Sequence, residues 1–281
     1  MKLVNKLECV YQRLVNKAKQ QKNSTMEVTE SEYKDMNFKY NIVYDEQFTN
    51  NKYDKEFWNI AQAGPSYWDA NMGGTPQILR NATDGTFMRL KCVKDGETSL
   101  TTGIRTKQAY GDGKFECEAR FKGGPSTWPA IWMSHPNGSV NNYETYYEVD
   151  ISEYYETRDV TETTYHCPQS MRGGDKYVSV VKTPIKKGAQ DSTGKWIEDG
   201  WNKFEWSWDE ESITISINGQ QILNIENDGD PLHYPITPET RTFSIILSMQ
   251  YGYNPWLTEP DLEQLPFYMD IRNIKYSEKV S

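Results

Sequence analysis

The chain has 281 residues, 36% hydrophobic and 25% charged, with 31 basic against 40 acidic side chains for a net charge of -9 and a mean hydropathy of -0.82. No stretch approaches the roughly 18 consecutive apolar residues of a membrane span, and an acidic chain without a Lys/Arg cluster lacks the electrostatic footprint that phosphates require, which argues against nucleic acid as a partner. The length suits one large domain or two small ones, while 9 Trp and 19 Tyr suit a large β-core or a groove that stacks on flat ligand faces.

Taken in chain order, residues 2–22 place Leu3, Leu7, Val10, Leu14 and Ala18 on one helical face with Lys and Gln between them. This spacing predicts an amphipathic helix. Its apolar stripe suits attachment to an assembly partner or packing on the back of a domain. The segment is basic but has no continuous apolar stretch of the kind an export signal carries. Asn23 to Lys39 reads as a polar linker, so residues 1–39 form a helix and arm and residues 40–281 the principal domain. Cys9, Cys92, Cys117 and Cys167 fit neither a zinc spacing nor a dense disulfide framework, and are read as mostly free thiols. Cys92 and Cys117, both in strand-like runs, are the pair that would meet if a disulfide formed.

From Ile42 onward the pattern becomes short β-rich runs between turn residues: Phe87–Val93, Lys114–Phe121, Tyr177–Val181, Phe204–Trp208 and Ser212–Ile217. The last leads into Asn218-Gly219 and returns as Gln220–Ile225, which predicts a β-hairpin. Many strands with no strong internal helix imply an all-β sandwich of two antiparallel sheets with a concave face lined by Trp and Tyr.

One segment stands apart, Tyr146-Tyr147-Glu148-Val149-Asp150-Ile151-Ser152-Glu153-Tyr154-Tyr155. In a regular strand Glu148 and Asp150 share a face and Glu153 takes the other. A one-residue bulge at Ile151-Ser152 would return Glu153 to the face of the first two, and bulges are enriched beside active sites for this reason. Three acids so placed repel, so at least one holds a proton near neutral pH, giving a nucleophilic carboxylate and a proton donor together. That pair is the equipment of retaining glycoside hydrolysis. A solvated acidic edge strand or a divalent-cation site are the plainer alternatives.

Glu148-Val149-Asp150-Ile151-Ser152-Glu153 resembles the ExDxxE signature of glycoside hydrolase family 16, the laminarinase, lichenase, agarase and carrageenase group. Further matches fall in family order: Asp45–Phe48, Thr102–Arg105, Tyr110-Gly111, Phe115-Glu116, Ala119–Phe121, Trp128–Met133, His166 and Phe267–Ile274. The resemblance covers roughly residues 42–278 and implies a β-jelly-roll sandwich with a substrate cleft. It implies Glu148 as nucleophile, Glu153 as general acid/base and Asp150 as the acid that orients and tunes the nucleophile. His166 corresponds to a family histidine at the site, with a hydrogen-bonded structural role as the alternative. Trp128, Trp132, Trp256 and Arg105 are the candidate substrate-binding residues, although Trp132 lies in an apolar run that suits a core position as well. No cofactor is required for this catalysis. Relatives often hold a structural calcium, for which Glu46, Gly85 and Asp270 occupy comparable positions.

The run Trp128–Trp132 is similar to the β-1,3-glucanase branch, which points to an endo-acting retaining hydrolase of a β-1,3 or mixed β-1,3/1,4-glucan. The insert Ser134–Tyr147, with Asn141 and Asn142, and the Tyr-rich segment Ser248–Trp256 depart from that branch. A β-galactan hydrolase of the agarase or porphyranase kind, or a hydrolase of host glycans, is therefore the nearest rival. A non-catalytic carbohydrate-binding sandwich is disfavoured because all three acids are present, and a transglycosylase would need the same residues. A polysaccharide substrate leads one to expect an extracellular or periplasmic location, which the absence of a visible export signal leaves open.

Overall fold

The computed structural model describes residues 40–48, 51–61, 70–138, 143–155, 160–171, 179–186, 188, 200–252 and 257–280, all within the compact unit Tyr40–Ser281. The helix expected over residues 2–22, the arm after it, Asn141, Asn142 and Trp256 lie outside the described residues.

Sixteen strands form among the described residues. The first eight are β1 (Tyr40–Glu46), β2 (Trp58–Ile60), β3 (Ala70–Met72), β4 (Gln77–Asn81), β5 (Gly85–Asp95), β6 (Thr98–Thr106), β7 (Gly113–Lys122) and β8 (Thr127–Ser134). They are followed by β9 (Glu148–Glu153), β10 (Val160–His166), β11 (Ser179–Pro184), β12 (Asn202–Trp208), β13 (Ser212–Ile217), β14 (Gln220–Glu226), β15 (Ser244–Tyr251) and β16 (Phe267–Lys279). Among the described residues helix is confined to α1 (Pro168–Met171) and two single 3-10 turns, and no described helix is long and apolar enough to cross a membrane.

The strands form where β-branched and aromatic residues alternate with polar ones. Along β13 every second residue is buried, Ile213, Ile215 and Ile217 each at 2% exposure or less, which is the period of a pleated strand with one face on a core. The chain reverses at Asn218-Gly219, both in the left-handed region at φ 53° and 81°, the geometry of a type I′ turn that Asn-Gly adopts with least strain. Ile217 pairs with Gln220 across it, so the expected two-residue hairpin is present.

Hydrogen-bonded neighbours run β11-β10-β9-β8-β15-β6-β5-β16-β7-β12-β13-β14. Every pair along this path is antiparallel. Strand β6 belongs to both layers of the sandwich: Thr98–Thr101 pair with β5, and Thr102–Arg105 pair with β15. The core lies between the layers. Ile131, Met133, Val149, Ile245, Leu247 and Met249 come from one, and Phe115, Phe204, Met269 and Ile271 from the other, all at 0% exposure. Phe115 stacks on Trp206 with ring centroids 4.7 Å apart. Cys92, Cys117 and Cys167 are free and buried, and burial pushes the Cys92 thiol up to about 12, which leaves it inert.

The outer face of the second layer carries a charge network where a calcium ion was expected. Asp270, at 0% exposure, accepts from Arg89 Nε at 2.6 Å and Nη2 at 2.8 Å, and from Arg120 Nε at 3.1 Å. Arg120 in turn forks onto Asp84, which also accepts from Trp201 Nε1 at 2.9 Å. Glu46 accepts from the Phe48 amide and the Tyr44 hydroxyl. Glu46, Gly85 and Asp270 therefore do not fit a calcium site: both oxygens of Asp270 already face guanidinium, and a divalent cation beside two fixed positive charges is opposed. Replacing Asp270 by Ala takes the carboxylate from the largely buried Arg89 and leaves Arg120 with Asp84 alone, which costs about 3 to 5 kcal/mol. Scanning calorimetry is expected to show a large fall in Tm for Asp270→Ala and none for the wild type on adding a chelator.

Candidate active site

Strand β9 lies between β8 and β10, and its register against both contains one extra residue. Asp150 pairs with Trp132 and Thr164, and Glu153 pairs with Ala130 and Glu162. Between those positions β9 advances three residues while each neighbour advances two, so the bulge falls at Ile151-Ser152. Cross-strand partners share a face. Glu148, opposite Ser134 and His166, Asp150 and Glu153 therefore all stand on one face, while Val149 and Ile151 point into the core at 0% exposure.

The bulge is held by β10. Thr163 Oγ1 donates to the Ile151 carbonyl at 2.8 Å, Thr161 Oγ1 donates to the Glu153 carbonyl at 3.1 Å, and the Ser152 and Thr161 hydroxyls are 2.7 Å apart. Threonine side chains thus take over carbonyls that the broken ladder would leave without partners, a need that burial makes absolute.

The three carboxyl groups sit among specific donors. His166 Nε2 is 3.3 Å from Asp150 Oδ2, Thr164 Oγ1 donates to Glu153 Oε2 at 3.3 Å, and the Tyr146 hydroxyl donates to Glu148 Oε2 at 3.3 Å. Glu153 also receives a hydrogen bond from Tyr155. Asp150 and Glu153 are buried and Glu148 is half-buried. Desolvation raises all three. Glu153 is pushed up to about 8 by burial and then by the charge of Asp150, against the pull of Tyr155, His166 and Trp128. Glu148 is raised by burial and by Asp150, and Asp150 by burial. One N or O atom from each of Glu148, Asp150 and His166 lies within 4.8 Å of the others, close enough for each charge to bear on its neighbours. Near neutral pH the cluster cannot ionise completely, so it holds carboxylate and carboxylic acid side by side.

The remaining expected residues divide. Trp132 is partly exposed on the acids' face, its indole fixed by a 3.2 Å hydrogen bond to Ser248 Oγ. Continuing along that row, Trp132 pairs with Ile246 and Ile246 with Arg105, which places Arg105 on the same face, bonded to Ser244 Oγ at 3.0 Å. Trp128, opposite Gln250, packs on Tyr155 with ring centroids 5.5 Å apart. Trp256 lies outside the described residues. Tyr146, Tyr155 and Thr164 were not singled out from the sequence, although two-residue spacing from Glu148, Glu153 and His166 marks each for the same face.

An all-β sandwich that gathers carboxyl groups on one strand face, where they cannot all ionise near neutral pH, has the equipment of a carbohydrate-cleaving hydrolase. Residues 66–264 match Glycosyl hydrolases family 16, and the chain belongs to that family. A keratan-sulfate endo-1,4-beta-galactosidase of Sphingobacterium multivorum is 25% identical over 245 residues, covering 84% of this chain and 54% of that protein. A glucan endo-1,3-beta-glucosidase of Cryptopygus antarcticus is 27% identical over 164 residues, covering 56% of this chain and 57% of that one. The chain thus spans about half the length of these relatives. The fold matches the laminarinase catalytic domain of Thermotoga maritima, with TM-score 0.65, 20% identity, and 86% and 99% of the two chains covered. It likewise matches a Flavobacterium laminarinase, with TM-score 0.66, 21% identity, and 85% and 100% covered.

The raised acidity constants carry a stability consequence. A group whose folded pKa lies above its unfolded value favours folding below the unfolded pKa, and that contribution is lost as pH rises through the folded one. For Glu153 the window runs from the model-compound 4.5 to about 8. Glu153→Gln is expected to match wild-type Tm at about pH 4 and to exceed it increasingly up to about pH 8, checked by calorimetry across that range.

Proposed function

We propose that the chain cleaves internal β-linkages of a glucan, β-1,3 or mixed β-1,3/1,4, with retention of configuration, and that residues 40–281 are the catalytic unit. The observation that carries this reading is the bulge in β9, which sets Glu148, Asp150 and Glu153 on one face. Glu148 attacks the anomeric carbon as carboxylate while Glu153 protonates the departing glycosidic oxygen. The glycosyl-enzyme is then opened by a water whose proton Glu153 takes up, so acid and base are one residue in successive steps. Asp150, between the two and beside His166, stabilises the nucleophile through charge and keeps the proton on Glu153 until it is needed. Trp132 offers a ring face to a sugar, with Trp128 at the neighbouring rim. Arg105 lies three strand spacings from β9, on the order of 14 Å, and so addresses a different sugar from the one cleaved. Calcium has no part in this reading.

The second reading is a galactan or host-glycan hydrolase. It is favoured by the relative that covers most of this chain, whose name gives keratan sulfate as its substrate, whereas glucanases dominate the structural likenesses. Product sizing on a panel of β-glucans, red-algal galactans and keratan sulfate separates the two, and oligosaccharide products from the glucans alone support the first. None of the residues proposed for this site falls within residues 1–39, so their removal is expected to leave turnover of a soluble substrate unchanged.

Glu148→Gln and Glu153→Gln are each expected to lower kcat/KM by about 10² to 10⁴ on polysaccharide. On an aryl glycoside with a good leaving group, Glu153→Gln recovers the first step, because that group departs without protonation, and Glu148→Gln does not. Proton NMR early in the reaction is expected to show the β-anomer first. An α-anomer first would remove Glu148 as nucleophile.

A further inference from the structure

Each end of β9 carries a pair of tyrosines, and each pair divides in the same way. Tyr147 and Tyr154 turn into the core at 2% and 4% exposure. Tyr147 bonds the Pro231 carbonyl, and Tyr154 stacks on Phe121 at 5.0 Å and 15°. Tyr146 and Tyr155 turn to the acids: Tyr146 donates to Glu148 Oε2 at 3.3 Å, and Tyr155 bonds Glu153 while its ring packs on Trp128. Alternation explains both ends. Residue 146 is two before Glu148, residue 155 is two after Glu153, and the bulge between the acids keeps all of them on one face.

Resting on the catalytic reading above, we propose that Tyr146 and Tyr155 are positioning residues that grip Glu148 and Glu153 from opposite ends of β9, and that each sets one limb of the pH–rate profile. A hydroxyl that donates to a carboxylate favours the ionised form. Tyr146 therefore keeps the nucleophile ionised to lower pH, and Tyr155 eases the proton off Glu153. Asp150 and His166 stand beside both acids. On β10 Thr164 donates to Glu153, and Glu162, opposite Glu153, is paired with Lys182 at 3.1 Å. On β8 the facing residues Ser134, Trp132, Ala130 and Trp128 carry no titrating charge. Tyr146 supplies the tyrosine hydroxyl at the Glu148 end and Tyr155 the one at the Glu153 end.

The test uses the full chain with Tyr146→Phe and Tyr155→Phe, which keep the rings, and Tyr147→Phe and Tyr154→Phe as controls. On whichever polysaccharide the wild type cleaves, Tyr146→Phe is expected to move the acid limb of kcat/KM upward by about one pH unit and leave the alkaline limb in place. Tyr155→Phe is expected to move the alkaline limb upward by a similar amount and leave the acid limb. The controls are expected to change Tm and neither limb. Carboxyl-carbon NMR of labelled glutamate follows Glu148 and Glu153 without substrate, so inactivity of the wild type, which would remove the catalytic reading, is kept apart from failure of the tyrosine assignment. Unmoved glutamate titrations in both variants, or equal movement in the controls, would overturn it.

Discussion

Between Asp150 and Glu153, β9 is one residue longer than the strands on either side, and the gathering of three carboxyl groups on one face depends on that residue. A regular strand would direct Glu153 into a core whose neighbouring positions, Val149, Ile131 and Met133, are entirely closed to water. An uncompensated carboxylate there is costly enough to prevent the packing altogether. With the bulge, the strand keeps its apolar side continuous and gathers three carboxyl groups on the other. Thr161 and Thr163 are what make the distortion tolerable, since their hydroxyls bond the Glu153 and Ile151 carbonyls.

The acids themselves work against stability. Burial raises all three, the charge of Asp150 adds to the rise at Glu148 and Glu153, and the rest of the sandwich has to outweigh that cost. It does so through a dense apolar interior and through charge placed where it is matched, as in the Arg89, Arg120 and Asp270 cluster on the far layer.

Much of this was legible in the sequence because it is governed by local periodicity. Alternation gave the strands, Asn218-Gly219 gave a hairpin, and the three-residue interval between Asp150 and Glu153 demanded a bulge if the acids were to cooperate. What stayed hidden depends on which strand lies beside which. Nothing local to Thr161 or Thr163 marks them as supports for another strand's carbonyls. Asp270 reads as a free oxygen donor until Arg89 and Arg120, 181 and 150 residues away in sequence, are set against it. Trp132 could not be divided between core and surface from its apolar run, and its register opposite Asp150 decides the matter.

Strand β6 enters as part of one layer and leaves as part of the other. In a sandwich whose sheets are joined only by loops, the layers can slide over one another along a lubricated plane of side chains. Here the backbone itself crosses that plane, so sliding would have to break ladder hydrogen bonds. The sheet that bears the acids is in effect bolted to its backing.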